Sequence, residues 1–236
     1  MNQLLVENIH TFYGTSHILF GVSLKVNRGE CVCLIGRNGV GKTTTLKTIM
    51  GLSNAARGTI TYNEKNLIGL PPYEIARMGI GYVPDERLIF PDLTVRENLE
   101  IGEKAPLTGD IAPWTVERVY ELFPMLKPLD GHPGGYLSGG EQQMLTCGRT
   151  LMGNPSLMLL DEPVEGIAPV VVQELTEQIK HLKKMGLTIL FAEQNIKFAR
   201  EISDRAYVIE GGRVRYEGTM TELEEQSDIK KKYLMI

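Results

Sequence analysis

The chain has 236 residues, of which 42% are hydrophobic and 23% charged, and its formal net charge is −4 at pH 7. These values are ordinary for a globular protein and argue against the basic surface of a nucleic-acid-binding protein, so no nucleic-acid partner is expected. No apolar run approaches the roughly 18–20 residues of a membrane span, and we expect a protein that is soluble when isolated.

The first part of the chain predicts strands of two kinds. Apolar and polar residues alternate over 3–12, 18–26 and 58–63, which is typical of strands with one buried face. The run over 31–36 is continuously apolar and is followed by glycines, which predicts a strand buried on both faces. After it, apolar side chains at helical spacing predict a helix that ends near Gly51.

The last third of the chain repeats the buried type of strand. Continuous apolar runs over 156–162 and 187–193 enclose an amphipathic stretch, 168–186, that predicts a helix ending at Gly186. Strand, helix and strand in this order predict parallel strands joined by a right-handed crossover. Thr221 and Glu224 have capping-box spacing and predict the start of a final helix.

The middle of the chain, 89–152, is dominated by helical patterns that are broken by loops over 105–113 and 128–136. No strand pattern of comparable strength is found there. We therefore predict one domain, 1–236, in which a helical lobe over 89–152 is inserted into an α/β lobe formed by 1–88 and 153–236.

A glycine-rich loop follows the first buried strand. The stretch "GRNGVGKTTT" matches G-x-x-x-x-G-K-[ST] at Gly36, Gly41, Lys42 and Thr43. Glycines allow backbone N–H groups to surround an anion, and the helix that follows directs its positive end to the same point. Lys42 is predicted to reach the β- and γ-phosphates, and the Thr43 hydroxyl to ligate Mg²⁺. The predicted nucleotide-binding residues of this loop are Gly36, Arg37, Asn38, Gly39, Val40, Gly41, Lys42, Thr43 and Thr44.

Two carboxylates end the buried strand over 156–162. Ligands of open α/β sheets collect at the carboxyl ends of strands, where Asp161 and Glu162 are predicted to lie. Asp161 is the predicted metal residue, acting through water, and Glu162 the predicted general base for the attacking water. The alternative is an acidic strand end that simply faces solvent.

A second candidate anion site lies in the helical segment. Ser138 and Glu141 have the S-x-x-E spacing of a capping box at the start of a helix. Gly139 and Gly140 follow the cap, where they would leave backbone N–H groups accessible. An ordinary capped helix explains the serine and the glutamate but not the two glycines.

The stretch Leu137-Ser138-Gly139-Gly140-Glu141 resembles the signature motif of ABC-type ATPases. The phosphate loop and the Asp161-Glu162 strand match that family in order and spacing, and the resemblance covers essentially residues 3–225. It implies ATP hydrolysis with Mg²⁺ on a P-loop ATPase core, RecA-like with a mostly parallel sheet. It also implies an N-terminal antiparallel β subdomain and an inserted helical subdomain.

In this family two ATPase domains face each other head to tail and enclose two ATP molecules. The resemblance implies that the signature residues contact the γ-phosphate held by the partner subunit's Lys42. Tyr13 stands where the family carries an aromatic residue that stacks on adenine; the alternative is a half-buried strand residue. The signature residues expected to act across the dimer are Ser138, Gly139, Gly140 and Glu141.

Three positions depart from the common pattern. Asp85 replaces the usual glutamine, Gln194 replaces the usual histidine of the switch, and 165–168 differs from the usual S-A-L-D. Asp85 is predicted to reach Mg²⁺ through water, and Gln194 to act in catalysis by hydrogen bonding the γ-phosphate. One interpretation is an ATP-binding regulatory subunit that hydrolyses weakly. The other is that the departures are typical of a subfamily, because the sequence at all three positions resembles the ATPases of branched-chain amino acid importers and of the related urea importers.

The resemblance also implies partners and location. It predicts a homodimer, or a heterodimer with a sister ATPase, attached to integral membrane permease subunits at the cytoplasmic face of the inner membrane. Phe90, Leu93 and Val95 are candidates for the hydrophobic groove that receives those subunits, or for core residues. A soluble ABC ATPase of DNA repair or translation is disfavoured, because the chain has no heptad run. A P-loop kinase is also disfavoured, because such an enzyme has no use for the signature element.

Overall fold

The computed structural model of the protein describes residues 2–106, 112–229 and 231. The strands of these residues, in chain order, are β1 (Asn2–Tyr13), β2 (Ser16–Asn27), β3 (Cys31–Ile35), β4 (Ala55–Tyr62), β5 (Lys65–Asn66), β6 (Ile80–Val83), β7 (Leu157–Asp161), β8 (Thr188–Glu193), β9 (Arg205–Glu210) and β10 (Arg213–Thr219). The α-helices are α1 (Lys42–Ile49), α2 (Pro72–Arg77), α3 (Val95–Glu100), α4 (Val116–Leu122), α5 (Gly139–Met152), α6 (Pro169–Lys184), α7 (Ile196–Ile202), α8 (Met220–Glu225) and α9 (Ser227–Ile229).

The strands form two sheets, which confirms the predicted fold class. The smaller sheet is antiparallel, in the order β2-β1-β4-β5. The larger sheet has the order β10-β9-β3-β8-β7-β6 and is parallel except for β10. Strands β5, β6, β9 and β10 were not predicted from the sequence. β5 has two residues and β6 four, and β9 and β10 form a hairpin.

The larger sheet separates two hydrophobic cores. Successive residues of a strand point to opposite faces of the sheet. In β3, Cys33 and Ile35 face the core that is formed with α3 to α8, whereas Val32 and Leu34 face the core that is formed with α1 and the antiparallel sheet. Both sets are fully buried. Burial on both faces is the reason that β3, β7 and β8 are continuous apolar runs rather than alternating ones.

Between β6 and β7 the described residues form α3, α4, α5 and two 3₁₀ helices, Pro124–Leu129 and Gly134–Tyr136. The 3₁₀ helices occupy part of the predicted loop over 128–136, and residues 107–111 of the other predicted loop lie outside the described residues. The boundaries of the helical lobe stay a prediction.

The final helical segment starts two residues earlier than predicted. Thr219, not Thr221, is the cap of α8: its hydroxyl accepts the N–H of Glu222, whose carboxylate accepts the N–H of Thr219. The same S/T-x-x-E spacing occurs at both threonines, and β10 ends at the first of them. None of the helices in the described ranges has both the length and the apolar character needed to cross a bilayer.

Candidate functional site

The candidate site lies along one edge of the larger sheet. Strands β6, β7, β8 and β3 are parallel neighbours, so their carboxyl ends meet at that edge. The segments that follow these ends begin at Pro84, Glu162, Gln194 and Gly36. The tertiary structure therefore brings together the phosphate loop, the carboxylate pair, the switch position and the Asp85 loop.

The phosphate loop has a backbone that requires glycine at two places. Gly41 has φ 110°, a conformation that side chains resist, and it is the residue before the first turn of α1. A methyl group on Gly36 would overlap the backbone oxygen of Ile209. The tip residues Arg37, Asn38 and Gly39 are exposed, whereas Val40 and Thr44 are buried.

Lys42 lies over its own loop. Its side chain is almost fully buried, and its ammonium donates to the backbone oxygens of Gly36 at 3.0 Å and Arg37 at 2.9 Å. It also lies 2.9 Å from a carboxylate oxygen of Glu162. The predicted phosphate-binding cation and the predicted general base are thus in direct contact.

Asp161 is fully buried and accepts two hydroxyl hydrogen bonds. Thr43 Oγ1 donates to one carboxylate oxygen at 2.9 Å, and the Tyr82 hydroxyl donates to the other at 3.1 Å. Burial raises the pKa of Asp161 to about 6, so the charged form is destabilised by its surroundings. A buried carboxylate next to a hydroxyl is a fitting environment for a hard cation such as Mg²⁺, which takes oxygen ligands and would stabilise the charged form. Sequence reasoning missed Tyr82, for which the short β6 gave no signal.

Glu162 has a backbone conformation that is rare for its residue type. Its φ is 45°, immediately after β7, and its N–H donates to the backbone oxygen of Ala192 at 3.0 Å. Such left-handed residues cost about 1 kcal/mol or more and concentrate at functional sites. The carboxyl group of Glu165 is hydrogen-bonded to Glu162, and this contact together with the Glu162 charge raises the pKa of Glu165.

Asp85 lies in the tight turn after β6. Asp85 is exposed, and desolvation in the turn, a hydrogen bond to Glu86 and the charge of Glu86 raise the pKa of its carboxyl. Glu86 in turn lies 3.4 Å from the Lys47 ammonium on α1. The charge of Asp85 also contributes to the raised pKa of Asp161, so the two predicted metal residues lie near each other.

Gln194 is exposed at the end of β8, next to a buried carboxylate that the sequence analysis overlooked. Glu193 is 2% exposed, and one of its carboxylate oxygens accepts the N–H groups of Gln194 and Asn195, both at 2.7 Å. Burial raises the pKa of Glu193 to about 7. Its other carboxylate oxygen has no hydrogen-bond partner among the described residues. The signal available in the sequence was an acidic residue, Glu193, at the end of the mostly apolar run 187–192.

The signature segment has the predicted capping box. The Ser138 hydroxyl accepts the N–H of Glu141, and the Glu141 carboxylate accepts the N–H of Ser138. Close packing explains why both positions after the cap are glycine, which was not predicted from the sequence. A methyl group on Gly139 would lie 2.7 Å from Arg87, and one on Gly140 would lie 2.7 Å from Val171.

Within the described residues, no hydrogen bond or ion pair joins 138–141 to the phosphate loop. The role of this segment across a dimer stays a prediction. Tyr13 ends β1 and is 49% exposed, and its hydroxyl and that of Ser53 lie 3.0 Å apart. Its adenine role likewise stays a prediction.

The sequence profile of the ABC transporter family matches residues 19–165. The chain is 42% identical to the high-affinity branched-chain amino acid transport ATP-binding protein BraG of Pseudomonas aeruginosa, over 98% of this chain and 99% of BraG. It is 35% identical to the probable branched-chain amino acid transport protein LivF of Archaeoglobus fulgidus, over 97% of each chain. It is also 34% identical to the lipopolysaccharide export protein LptB of Escherichia coli, over 99% of this chain and 98% of LptB.

Solved structures agree with this assignment. The ADP conformation of an ATP-binding cassette of an ABC transporter matches with a TM-score of 0.82 and 31% identity, over 98% of this chain and 96% of that one. A dimeric bacterial ABC transporter cassette matches with a TM-score of 0.79 and 25% identity, over 92% of this chain and 98% of that one. The protein therefore belongs to the ABC transporter family of ATP-binding subunits, which are ATPases.

Proposed function

We propose that this chain is the ATP-hydrolysing subunit of an importer for branched-chain amino acids. The observation that carries the proposal is the 42% identity to BraG over nearly the whole of both chains. The three departures at Asp85, Gln194 and 165–168 support the same branch, because together they resemble importer ATPases of this kind.

The residues at the sheet edge are suited to hydrolysis of ATP. In the proposed site, the phosphate loop and Lys42 bind the phosphates, and Glu162 accepts a proton from the attacking water. Thr43 and Asp161 would hold Mg²⁺, with Asp85 acting through water; when bound, the ion would neutralise charge on the phosphates. Gln194 would donate a hydrogen bond to the γ-phosphate from its side-chain amide.

We further propose that two ATPase chains enclose ATP head to tail. Support comes from the part of the chain that the structure describes, in which no hydrogen bond or ion pair joins 138–141 to the phosphate loop. The signature segment is thus available to the phosphate loop of a second copy. The resemblance to a dimeric cassette supports the same arrangement. The second chain is a copy of this protein or a sister ATPase.

The proposed attachment to permease subunits at the cytoplasmic face of the inner membrane is supported by a hydrophobic groove. A cavity of about 430 Å³ is lined by Leu52, Phe90 and Ile101, each with more than two fifths of its surface exposed, and by the Arg149 side chain. Of the three residues that the sequence indicated for a groove, only Phe90 lines it. Val95 is fully buried in the core instead.

A second candidate is an exporter subunit, favoured by the 34% identity to LptB over nearly the whole of both chains. A weakly hydrolysing regulatory subunit, or a urea importer subunit, is the alternative suggested by Asp85 and Gln194. The first experiment is ATP-dependent dimerisation of Glu162→Gln beside ATP turnover by the wild type. Uptake of labelled leucine by cells with and without the chain then separates import from export. Unchanged leucine uptake would exclude the proposed substrate.

A further inference from the structure

One arginine touches three of the functional segments described above. The N–H of Arg87 donates to the backbone oxygen of Pro84 at 3.4 Å and closes the tight turn that carries Asp85. Arg87 has φ 50°, which is unfavourable for a side chain of this size and implies that the surrounding contacts hold it.

The guanidinium extends from this turn to the loop after β7. Nη2 donates to the backbone oxygen of Glu165 at 2.5 Å. The backbone N–H of Glu165 also donates to the backbone oxygen of Glu162 at 3.1 Å. The turn of Asp85 is therefore hydrogen-bonded to the segment that follows the proposed general base.

The other arm of the guanidinium lies against the signature segment. A methyl group on Gly139 would lie 2.7 Å from Arg87 Nη1, so the first residue of α5 is in close contact with this side chain. The planar guanidinium thus hydrogen-bonds one segment through Nη2 and packs against another through Nη1, an arrangement that the single ammonium of lysine does not reproduce.

We infer that Arg87 is a positioning residue that holds the Asp85 turn, the loop over 163–168 and the signature turn in one fixed arrangement. The inference rests on the proposed function and adds a residue that this function does not use. Arg87 acts through its neighbours: the phosphate loop and Lys42 bind nucleotide without it, whereas the surface offered to the second chain depends on it.

The first test needs neither nucleotide nor a dimer. Amide hydrogen exchange is measured on the wild type, Arg87→Ala and a control, Arg118→Ala, whose arginine also donates to backbone oxygens, of Ala112 and Pro113, in another part of the chain. Arg87→Ala is expected to speed exchange about tenfold over 163–168, because the variant removes a hydrogen bond from a charged donor to the Glu165 backbone oxygen. A smaller increase is expected over 138–141, where the variant removes a packing contact with Gly139. Unchanged exchange in both segments overturns the inference, even if the proposed function is correct.

The second test separates binding from turnover. Arg87→Ala is expected to lower kcat about tenfold and to leave KM for ATP within about twofold, since the substitution removes one hydrogen bond outside the phosphate loop. In a Glu162→Gln background it should weaken ATP-driven dimerisation by a similar factor. The parent Glu162→Gln reports on the proposed function alone. A dimer that forms equally well with and without Arg87 contradicts the inference and leaves the function standing.

Two more variants guard against a general folding defect. Arg87→Lys keeps the charge but not the two arms, and should restore at most part of the activity. Gly139 belongs to the signature segment itself, so Gly139→Ala is compared by hydrogen exchange and not by kcat. It should displace the guanidinium and speed exchange over 163–168, and the double variant should exchange no faster than Arg87→Ala. Full activity with lysine, or effects that add in the double variant, would refute the two-armed contact.

Discussion

The Lys42 ammonium and the Glu162 carboxylate are 2.9 Å apart, with side chains that are 2% and 9% exposed. The predicted phosphate-binding cation is thus neutralised by the predicted base, and phosphate must compete with that carboxylate for Lys42. In the proposed site this pair would couple binding to catalysis, because a ligand that attracts Lys42 would release the Glu162 carboxylate to accept a proton from water.

Replacing Glu162 by glutamine should separate the two effects. We expect the turnover of ATP to fall at least about 100-fold, the usual contribution of a positioned base. ATP should bind more tightly than to the wild type, because Lys42 is freed from its ion pair. Phosphate release and nucleotide titration measure the two quantities. Glu177→Gln, which removes an exposed ion pair with Lys180, is the control and should change neither. Looser ATP binding by Glu162→Gln would contradict the competition.

Asp161→Asn should raise the Mg²⁺ requirement. The amide keeps the shape of the side chain beside Thr43 and Tyr82 but removes the charge that a cation needs. We expect the Mg²⁺ concentration for half-maximal hydrolysis to rise about 10- to 100-fold. A titration of activity against free Mg²⁺ checks this, with Asp130→Asn, from an ion pair with Arg96, as the control. An unchanged midpoint would remove Asp161 from the metal site.

The buried Glu193 carboxyl should make the stability of the fold depend on pH. Its folded pKa, about 7, is above the ordinary value of 4.5, so the folded state binds the proton more tightly. The free energy of unfolding should therefore fall as pH rises from about 4.5 to about 7, by up to about 3 kcal/mol from this group.

Urea unfolding at pH 5 and pH 8, without nucleotide or metal, measures this difference for the wild type and Glu193→Gln. The glutamine variant should lose much less stability between the two pH values. Other groups titrate in the same range, Asp161 among them, so only the difference between the two proteins is informative. Equal losses would assign the pH dependence to those other groups.

Phe90→Ala should weaken attachment to the membrane subunits. Phe90 is 46% exposed in the groove, and the centre of its ring lies 5.0 Å from the Arg149 guanidinium carbon. Burial of an aromatic side chain contributes about 1.5–3 kcal/mol, so we expect affinity to fall about tenfold or more. Co-purification from gently solubilised membranes is the measurement. Phe12→Ala removes a phenylalanine of similar exposure outside the groove, and equal losses for both variants would show that the groove is not the contact.

The sequence by itself determined the local features of this protein. Each of three signals is confined to a few neighbouring residues: the glycines with Lys42, the Asp161-Glu162 pair, and the Ser138–Glu141 capping box. They followed from the sequence because turn geometry, helix caps and strand burial are short-range properties. The strands at 31–36, 156–162 and 187–193 were predictable for the same reason: a run buried on both faces is apolar throughout.

Only the tertiary structure decided which distant residues meet. The parallel order β6, β7, β8 and β3 places Tyr82 against Asp161 and Glu162 against Lys42, and sequence spacing carries no information on these contacts. The packing of Arg87 on Gly139 is likewise a contact between separate segments. The misplaced cap at Thr221 has the same origin, because two threonines have the capping spacing and the end of β10 selects Thr219. Local chemistry can be predicted from the sequence, whereas the pairing of distant charged residues depends on the order of the strands in the sheet.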